Sequence, residues 1–220
     1  KKNNDLVNIY YGKNIDENIY SKYVDIRINF FENFELHDWK QYSVTDKLDD
    51  PIFLIGFPRS GTTLLDTILR THSKIDVIEE KAMLSKAQLS LGNKISIVDI
   101  ENLTNEELAN AKENYFKELG KFVSTKSGGC VIDKLPLNIK DVPIIHKLFP
   151  TAKFILALRH PLDSILSCWM QLFRLNPAMA NMVELDRIVD FYGVAMTILE
   201  LSEKRYSLNV HRIRYEDFPS

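Results

Sequence analysis

The segment Gly56-Phe57-Pro58-Arg59-Ser60-Gly61-Thr62-Thr63 carries the residue types of an anion site. Gly56 and Gly61 bound a short loop, with a guanidinium and a hydroxyl inside it and two more hydroxyls just beyond. An apolar run, Ile52 to Ile55, leads in, and Leu64, Leu65, Ile68 and Leu69 follow at the spacing of one helical face. Strand, glycine-bounded loop and helix make a phosphate cradle, in which backbone N–H groups and a helix N-terminus hold the anion. The lysine that such loops place after the second glycine is replaced by Thr62, and the loop's cation is Arg59. Its planar fork can meet an oxyanion through paired hydrogen bonds. This cradle is expected to bind a phosphate-like anion without being an ordinary nucleotide hydrolase. By itself, Gly-x4-Gly would also suit a plain strand-to-helix turn.

Two further segments place charge where a ligand could meet it. In the first, Phe154 to Leu158 reads as a buried strand from which Arg159 emerges, and Pro161 suits the first position of a following helix. That helix has an apolar stripe of Leu162, Ile165, Leu166, Trp169, Leu172 and Phe173, which puts Ser167 nearly opposite and away from the core. The plain alternatives are a structural ion pair for Arg159 and a solvated Ser167. In the second, the apolar run from Cys130 ends in Asp133-Lys134. Asp133 has the chemistry to hold Mg²⁺, as in phosphate-loop enzymes, and Lys134 can reach a group in transfer. Both would also serve as strand-end charges in water.

The elements that must position these residues alternate. Strands are predicted at Ile52–Ile55, Asp76–Ile78, Val131–Asp133, Phe154–Leu158 and Val210–Arg214. Helices are predicted at Thr62–Thr71, Glu80–Leu91, Asn105–Ser124, Val142–Phe149, Pro161–Phe173 and Leu185–Lys204. Alternation of this kind predicts an α/β, P-loop-like three-layer fold, with a central parallel sheet flanked by helices. Ligands of such sheets sit beyond the carboxyl ends of the strands, where the loop at 56–61 lies. Residues 1–50 are rich in Asn, Asp, Lys and Tyr, and Ile19, Tyr23, Ile26, Ile28, Phe30, Phe31 and Phe34 predict a helix or two packed on the domain at 51–220. After Tyr215-Glu216-Asp217 no closing helix precedes Ser220, so the domain is expected to be incomplete at its C-terminus.

The bulk numbers exclude several classes. At 220 residues, 45% apolar and 26% charged, the chain has the make-up of one globular domain. A net charge of -2 speaks against general nucleic-acid binding. No apolar stretch nears the ~18 residues of a membrane span, and the start lacks the apolar core of a secretory signal. A reducing, cytoplasmic setting is expected. Cys130 and Cys168 make no disulfide framework and are expected to be buried thiols. No Cys/His pair has zinc-ligand spacing.

With these motifs in this order, the chain resembles sulfotransferases that use 3′-phosphoadenosine 5′-phosphosulfate (PAPS). More narrowly it is similar to bacterial sulfotransferases often joined to tetratricopeptide repeats, and to the tyrosylprotein sulfotransferases. The resemblance runs from about residue 51 to the end and more loosely into the N-terminal segment. It implies that Arg59, Ser60, Gly61, Thr62 and Thr63 receive the 5′-phosphosulfate, and that Arg159 and Ser167 grip the 3′-phosphate. It also implies that Lys134 neutralises charge on the bridging oxygen and that Tyr215 lies near the nucleotide. The cytosolic members place a basic histidine two residues after that lysine, where this chain has Pro136. The tyrosylprotein enzymes use a glutamate instead, which maps onto Glu80, with Glu79 as a possible substitute. Either acid would equally suit the first turn of a helix beginning there.

Two departures stand out. The tyrosylprotein enzymes carry arginines where this chain has Ala82 and Gln171, and the first change puts recognition of an acidic peptide in question. Peptide tyrosine, carbohydrate and small alcohol all stay open as the hydroxyl-bearing acceptor. The resemblance implies in-line displacement with Glu80 as general base, Arg59 and Lys134 as electrostatic stabilisers, and no metal. The competing expectations are a phosphate-loop kinase or NTPase using Mg-ATP, with Asp133 on the metal, and a nucleotide-binding module without catalysis.

Overall fold

The computed structural model describes residues 50–92, 97–123, 129–173, 176 and 178–218. The predicted helices of residues 1–49 lie outside this range. Five strands, β1 (Ile52–Gly56), β2 (Ile75–Glu79), β3 (Cys130–Lys134), β4 (Lys153–Leu158) and β5 (Asn209–Arg214), form one sheet. All four pairings are parallel and the order is β2-β3-β1-β4-β5. The helices are α1 (Thr62–Arg70), α2 (Met83–Ser90), α3 (Ile97–Glu101), α4 (Asn105–Leu119), α5 (Val142–Leu148), α6 (Pro161–Met170) and α7 (Leu185–Arg205). The expected α/β layering is what the chain adopts.

Burial on both faces of the sheet explains the unbroken apolar run of β1. Phe53 and Ile55 enter the larger core with Tyr115, Phe149, Phe154 and the helices α2, α4, α5 and α7. Leu54 enters the smaller core, where Leu65 of α1 covers it together with Val77, Ile132 and Ala157. Phe53 sits at 6.1, 6.0 and 5.9 Å from the rings of Tyr115, Phe149 and Phe154. Aromatic packing of this kind anchors the strand that feeds the loop.

Successive strands leave β1 in opposite directions, with β3 on one side and β4 on the other. The loop after β1 therefore stands at the point where the strand order reverses, the place where such sheets open a crevice.

Several predicted boundaries move, each for a local reason. The helix expected from Glu80 begins at Met83, because Glu80 adopts φ 49°, a left-handed conformation that cannot start a helix. Neither Glu79 nor Glu80 caps it; Ala82 holds that position. The helix from Asn105 ends at Leu119, before Gly120, and starts on a capping box in which Thr104 and Glu107 exchange hydrogen bonds. Its neighbour α3 carried too short a pattern to predict.

The apolar stripes are corrected more sharply. In α1 the buried residues are Thr62, Leu65 and Asp66, whereas Leu64 and Ile68 are 40% and 43% exposed. In α6 the buried line is Ser164, Ile165 and Cys168, and Leu162 and Leu166 are exposed, as is Leu172 beyond the helix end at Met170. The small side chains of that line let α6 approach the loop closely enough for the Cys168 thiol to donate to the Pro58 carbonyl at 3.3 Å. Cys168 is buried as expected, and burial pushes its thiol up to about 12. Cys130 is half-buried instead. Among the described residues, no helix is long and apolar enough to cross a membrane.

Candidate active site

Glu80, Lys134, the loop at 56–61, Arg159 and Tyr215 stand at the carboxyl edge of the sheet, and the strand order sets their lateral sequence. Glu80 follows β2, Lys134 ends β3, the loop follows β1, Arg159 follows β4 and Tyr215 follows β5. At about 4.8 Å per strand, the row spans on the order of 20 Å. A cavity of about 560 Å³ lies along it, lined by Arg59, Gly61, Thr62, Thr63, Glu80, Arg159 and Tyr215 among others. Ser60, Lys134 and Ser167 are not part of that lining.

The loop half combines strained backbone with unpaired donors. Arg59 and Gly61 both adopt left-handed backbone, at φ 68° and 93°. A non-glycine residue held there is the kind of strain found at ligand clamps. No side chain caps α1 and no acid occupies its first turn, so its first N–H groups are available to a ligand. The Ser60 hydroxyl is 3% exposed and has no hydrogen-bond partner in the structure. A buried orphan donor beside a helix N-terminus fits a phosphate or sulfate oxygen.

Contacts from distant elements complete this half. Arg59 Nε donates to Ser167 Oγ at 3.0 Å, and Arg159 Nη1 makes a long 3.4 Å bond to the Arg59 carbonyl. The Arg159 guanidinium lies 4.8 Å above the Tyr215 ring, a cation–π contact. A 2.7 Å bond from the His160 N–H to Glu216 pins the turn that presents Tyr215. The α6 phase explains the Ser167 contact: the serine stands next to the buried line, so it reaches Arg59 instead of turning to solvent.

The other half is a chain of charges. In the β2–β3 register Glu79 pairs with Lys134, which places their side chains on the same face. Lys134 is 1% exposed, and its ammonium donates to Glu79 at 2.9 Å and Glu80 at 3.1 Å. Burial opposes the charge on Lys134, but the two carboxylates outweigh it and hold the pKa above the usual lysine value. The same hydrogen bond to Lys134 pulls Glu79 below the usual carboxylate range. Arg70 of α1 approaches Glu79 at 3.9 Å and is bonded in turn to the buried Asp66. The backbone N–H of Glu80 donates to the Lys134 carbonyl at 2.8 Å, which fixes Glu80 in its left-handed pose at the cavity wall.

Asp133 behaves differently from both expectations made for it. It alternates with Lys134 to the opposite face, pairs in register with Phe53 and is 1% exposed. Its Oδ2 accepts from the Tyr115 hydroxyl at 2.9 Å, while Oδ1 has no partner. Burial pushes this carboxyl up to about 7, against the Tyr115 bond that lowers it. The acid that a Mg-ATP enzyme would need here is thus in the aromatic core, neither at the cavity nor in water.

A model of the sulfotransferase family matches residues 51–220. The chain belongs to the sulfotransferase family. A protein of Aquifex aeolicus (strain VF5) is 32% identical over 132 residues, which are 56% of this chain and 17% of that protein. Protein-tyrosine sulfotransferase 1 of Homo sapiens is 32% identical over 117 residues, 49% of this chain and 30% of that protein. The chain therefore spans less than a third of the length of these curated relatives. Two solved structures are also similar. One, a sulfotransferase domain from the Synechococcus PCC 7002 olefin synthase, has TM-score 0.45 and 25% identity, covering 81% of this chain and 71% of its own. The other, a sulfotransferase domain from the curacin biosynthetic pathway, has TM-score 0.47 and 23% identity, covering 78% and 69%.

In this sulfotransferase-family chain, Arg59 and Arg159 line one cavity and are joined through the 3.4 Å bond to the Arg59 carbonyl. Sequence reasoning missed Asp66, Arg70 and Glu216. The first two were detectable as an acid and a base four residues apart on one helix, a spacing that usually marks only a surface pair.

Proposed function

We propose that the chain transfers the sulfuryl group of PAPS to an acceptor hydroxyl. The observation that carries this is the second guanidinium: Arg159, one strand beyond the loop, is tied to Arg59 and stacked on Tyr215. A donor with anionic groups at both ends of its ribose would use both cations. An ATP site would leave Arg159 without a task.

PAPS supplies the sulfuryl group and leaves as adenosine 3′,5′-bisphosphate. The loop residues Arg59, Ser60, Gly61, Thr62 and Thr63 hold the phosphosulfate end, and Arg159 and Ser167 the 3′-phosphate, with Tyr215 beside the nucleotide. Glu80 takes the acceptor proton; it lines the cavity and meets Lys134, whereas Glu79 does not line it and is held by both Lys134 and Arg70. That favours Glu80 over Glu79 as base. Lys134 and Arg59 stabilise charge on the leaving and sulfuryl oxygens by preorganised electrostatics. In this proposal residues 51–220 form the catalytic domain and no metal takes part.

The test is transfer of labelled sulfate from PAPS in EDTA, run beside Mg-ATP with labelled γ-phosphate. Sulfate transfer in EDTA is expected. Phosphoryl transfer that stops with EDTA would replace the proposal with a kinase. Tight bisphosphate binding without transfer to any acceptor would reduce the protein to a nucleotide-binding module.

A further inference from the structure

The half of the cavity beyond β2 and β3 differs in chemistry from the half beyond β1, β4 and β5. Leu135, Pro136 and Leu137 line it, and the same cavity is lined further by Phe173, Ala178 and Met179 and by one amide, Asn176, whose Oδ1 accepts from the Met179 N–H. The first three leave the end of β3 directly after Lys134, beside the Glu80 carboxylate that lines the same half. Leu137, Phe173, Ala178 and Met179 are only partly buried but pack on the large core. The wall is therefore anchored in place before a ligand arrives, as small-molecule sites usually are.

Charge divides the cavity in the same way. Among the described lining residues the cations are Arg59 and Arg159, both in the loop half. In the other half the charged residue of the described lining is Glu80, and Glu79 and Glu80 share the ammonium of Lys134 behind it. An anionic acceptor approaching Glu80 would meet a carboxylate and, among the described lining residues of that half, no cation. A sugar would bury most of its hydroxyls against leucine, proline and phenylalanine, with the Asn176 amide and Glu80 as the described polar partners there.

Resting on the sulfuryl-transfer proposal above, we propose that the acceptor is an uncharged hydroxyl on an apolar body, an aliphatic alcohol or a phenol, and not an acidic peptide or a carbohydrate. Its hydroxyl oxygen forms the new bond to sulfur as the bond from sulfur to the phosphate oxygen breaks. The proton passes to Glu80, and the electron pair leaves with adenosine 3′,5′-bisphosphate. The apolar body lies against Leu137, Phe173 and Met179.

The experiment uses the intact protein and labelled PAPS with four acceptors: 1-decanol, 4-nitrophenol, a tyrosine peptide flanked by aspartates, and N-acetylglucosamine. Calorimetric binding of adenosine 3′,5′-bisphosphate is measured on the same preparation. Either apolar acceptor is expected to have kcat/KM at least about tenfold above the peptide and the sugar. Met179→Glu and Leu137→Asp are expected to raise KM for that acceptor about tenfold or more, with bisphosphate affinity changed by less than about twofold. Equal or better use of the peptide or sugar overturns the inference, as does bisphosphate binding with no turnover of decanol or nitrophenol. Both results leave the donor site standing. Absence of bisphosphate binding overturns the donor proposal itself, and this inference with it.

Discussion

The Tyr215 ring fills the space that a side chain on Gly61 would need: a Cβ built there would stand 2.5 Å from Tyr215 Cδ2. Gly61 also adopts φ 93°, which L side chains avoid at a cost of roughly 1–2 kcal/mol. One glycine thus joins the loop after β1 to the turn after β5. Gly61→Ala is expected to displace Tyr215 and weaken bisphosphate binding by about tenfold or more. Calorimetry would show it, and an unchanged Kd would mean that the ring does not shape the donor half.

Arg159 is predicted to act on donor binding. It touches the Arg59 carbonyl and the Tyr215 ring, and a charge-assisted hydrogen bond is worth about 1.5–3 kcal/mol. Arg159→Ala should weaken adenosine 3′,5′-bisphosphate by about 10–100-fold, with a smaller effect on kcat at saturating PAPS. A loss confined to kcat would remove Arg159 from the phosphate site.

Lys134 and Glu80 are predicted to act on the chemical step. Their contact at 3.1 Å couples the proposed base to the proposed leaving-group cation. Lys134→Ala should cut kcat by about 10²–10³, and Glu80→Gln by about 10²–10⁴, with bisphosphate affinity nearly kept. Lys134 is buried, so circular dichroism and the Tm of the variant must accompany the rates. A folded Lys134→Ala protein with full kcat would sink the assignment.

Asp133 predicts a pH dependence of stability. Its carboxyl ordinarily titrates near 3.8, and burial moves it to about 7 in the folded protein. Below the unfolded value both states hold the proton. As pH rises from about 4 to about 7, the unfolded chain releases it first, so this group costs stability progressively, by about 4 kcal/mol in the limit. Asp133→Asn keeps the shape and removes the titration. The Tm of the variant minus that of the parent should grow between about pH 4 and about pH 7 and level off above; a constant difference across that range would show that Asp133 does not titrate there.

Much of this protein was legible before folding because its signals are local. Gly56, Gly61 and Pro161 mark loop and helix entry through backbone rules, and the strand runs are apolar because both faces of the sheet are covered. Lys134 and Arg159 could be placed at strand ends for the same reason, since each ends or directly follows such a run, whereas Tyr215 follows a largely exposed edge strand. The helix phases were not legible. The stripe of α6 pointed Ser167 away, yet the Cys168 contact to Pro58 and the Arg59 bond to Ser167 turn the helix toward the loop.

What the amino-acid order by itself determined is the set of strand-end residues and the α/β alternation, because periodicity and glycine placement act over a few residues. Only the tertiary structure decided who stands beside whom. The order β2-β3-β1-β4-β5 puts Glu80 and Lys134, 54 residues apart, at one end of the cavity and brings Arg159 and Tyr215 to the other. It also sends Asp133 into the aromatic core while its neighbour Lys134 joins the charged row. The reason is the alternation of side chains along a strand, which register converts into opposite environments for adjacent residues.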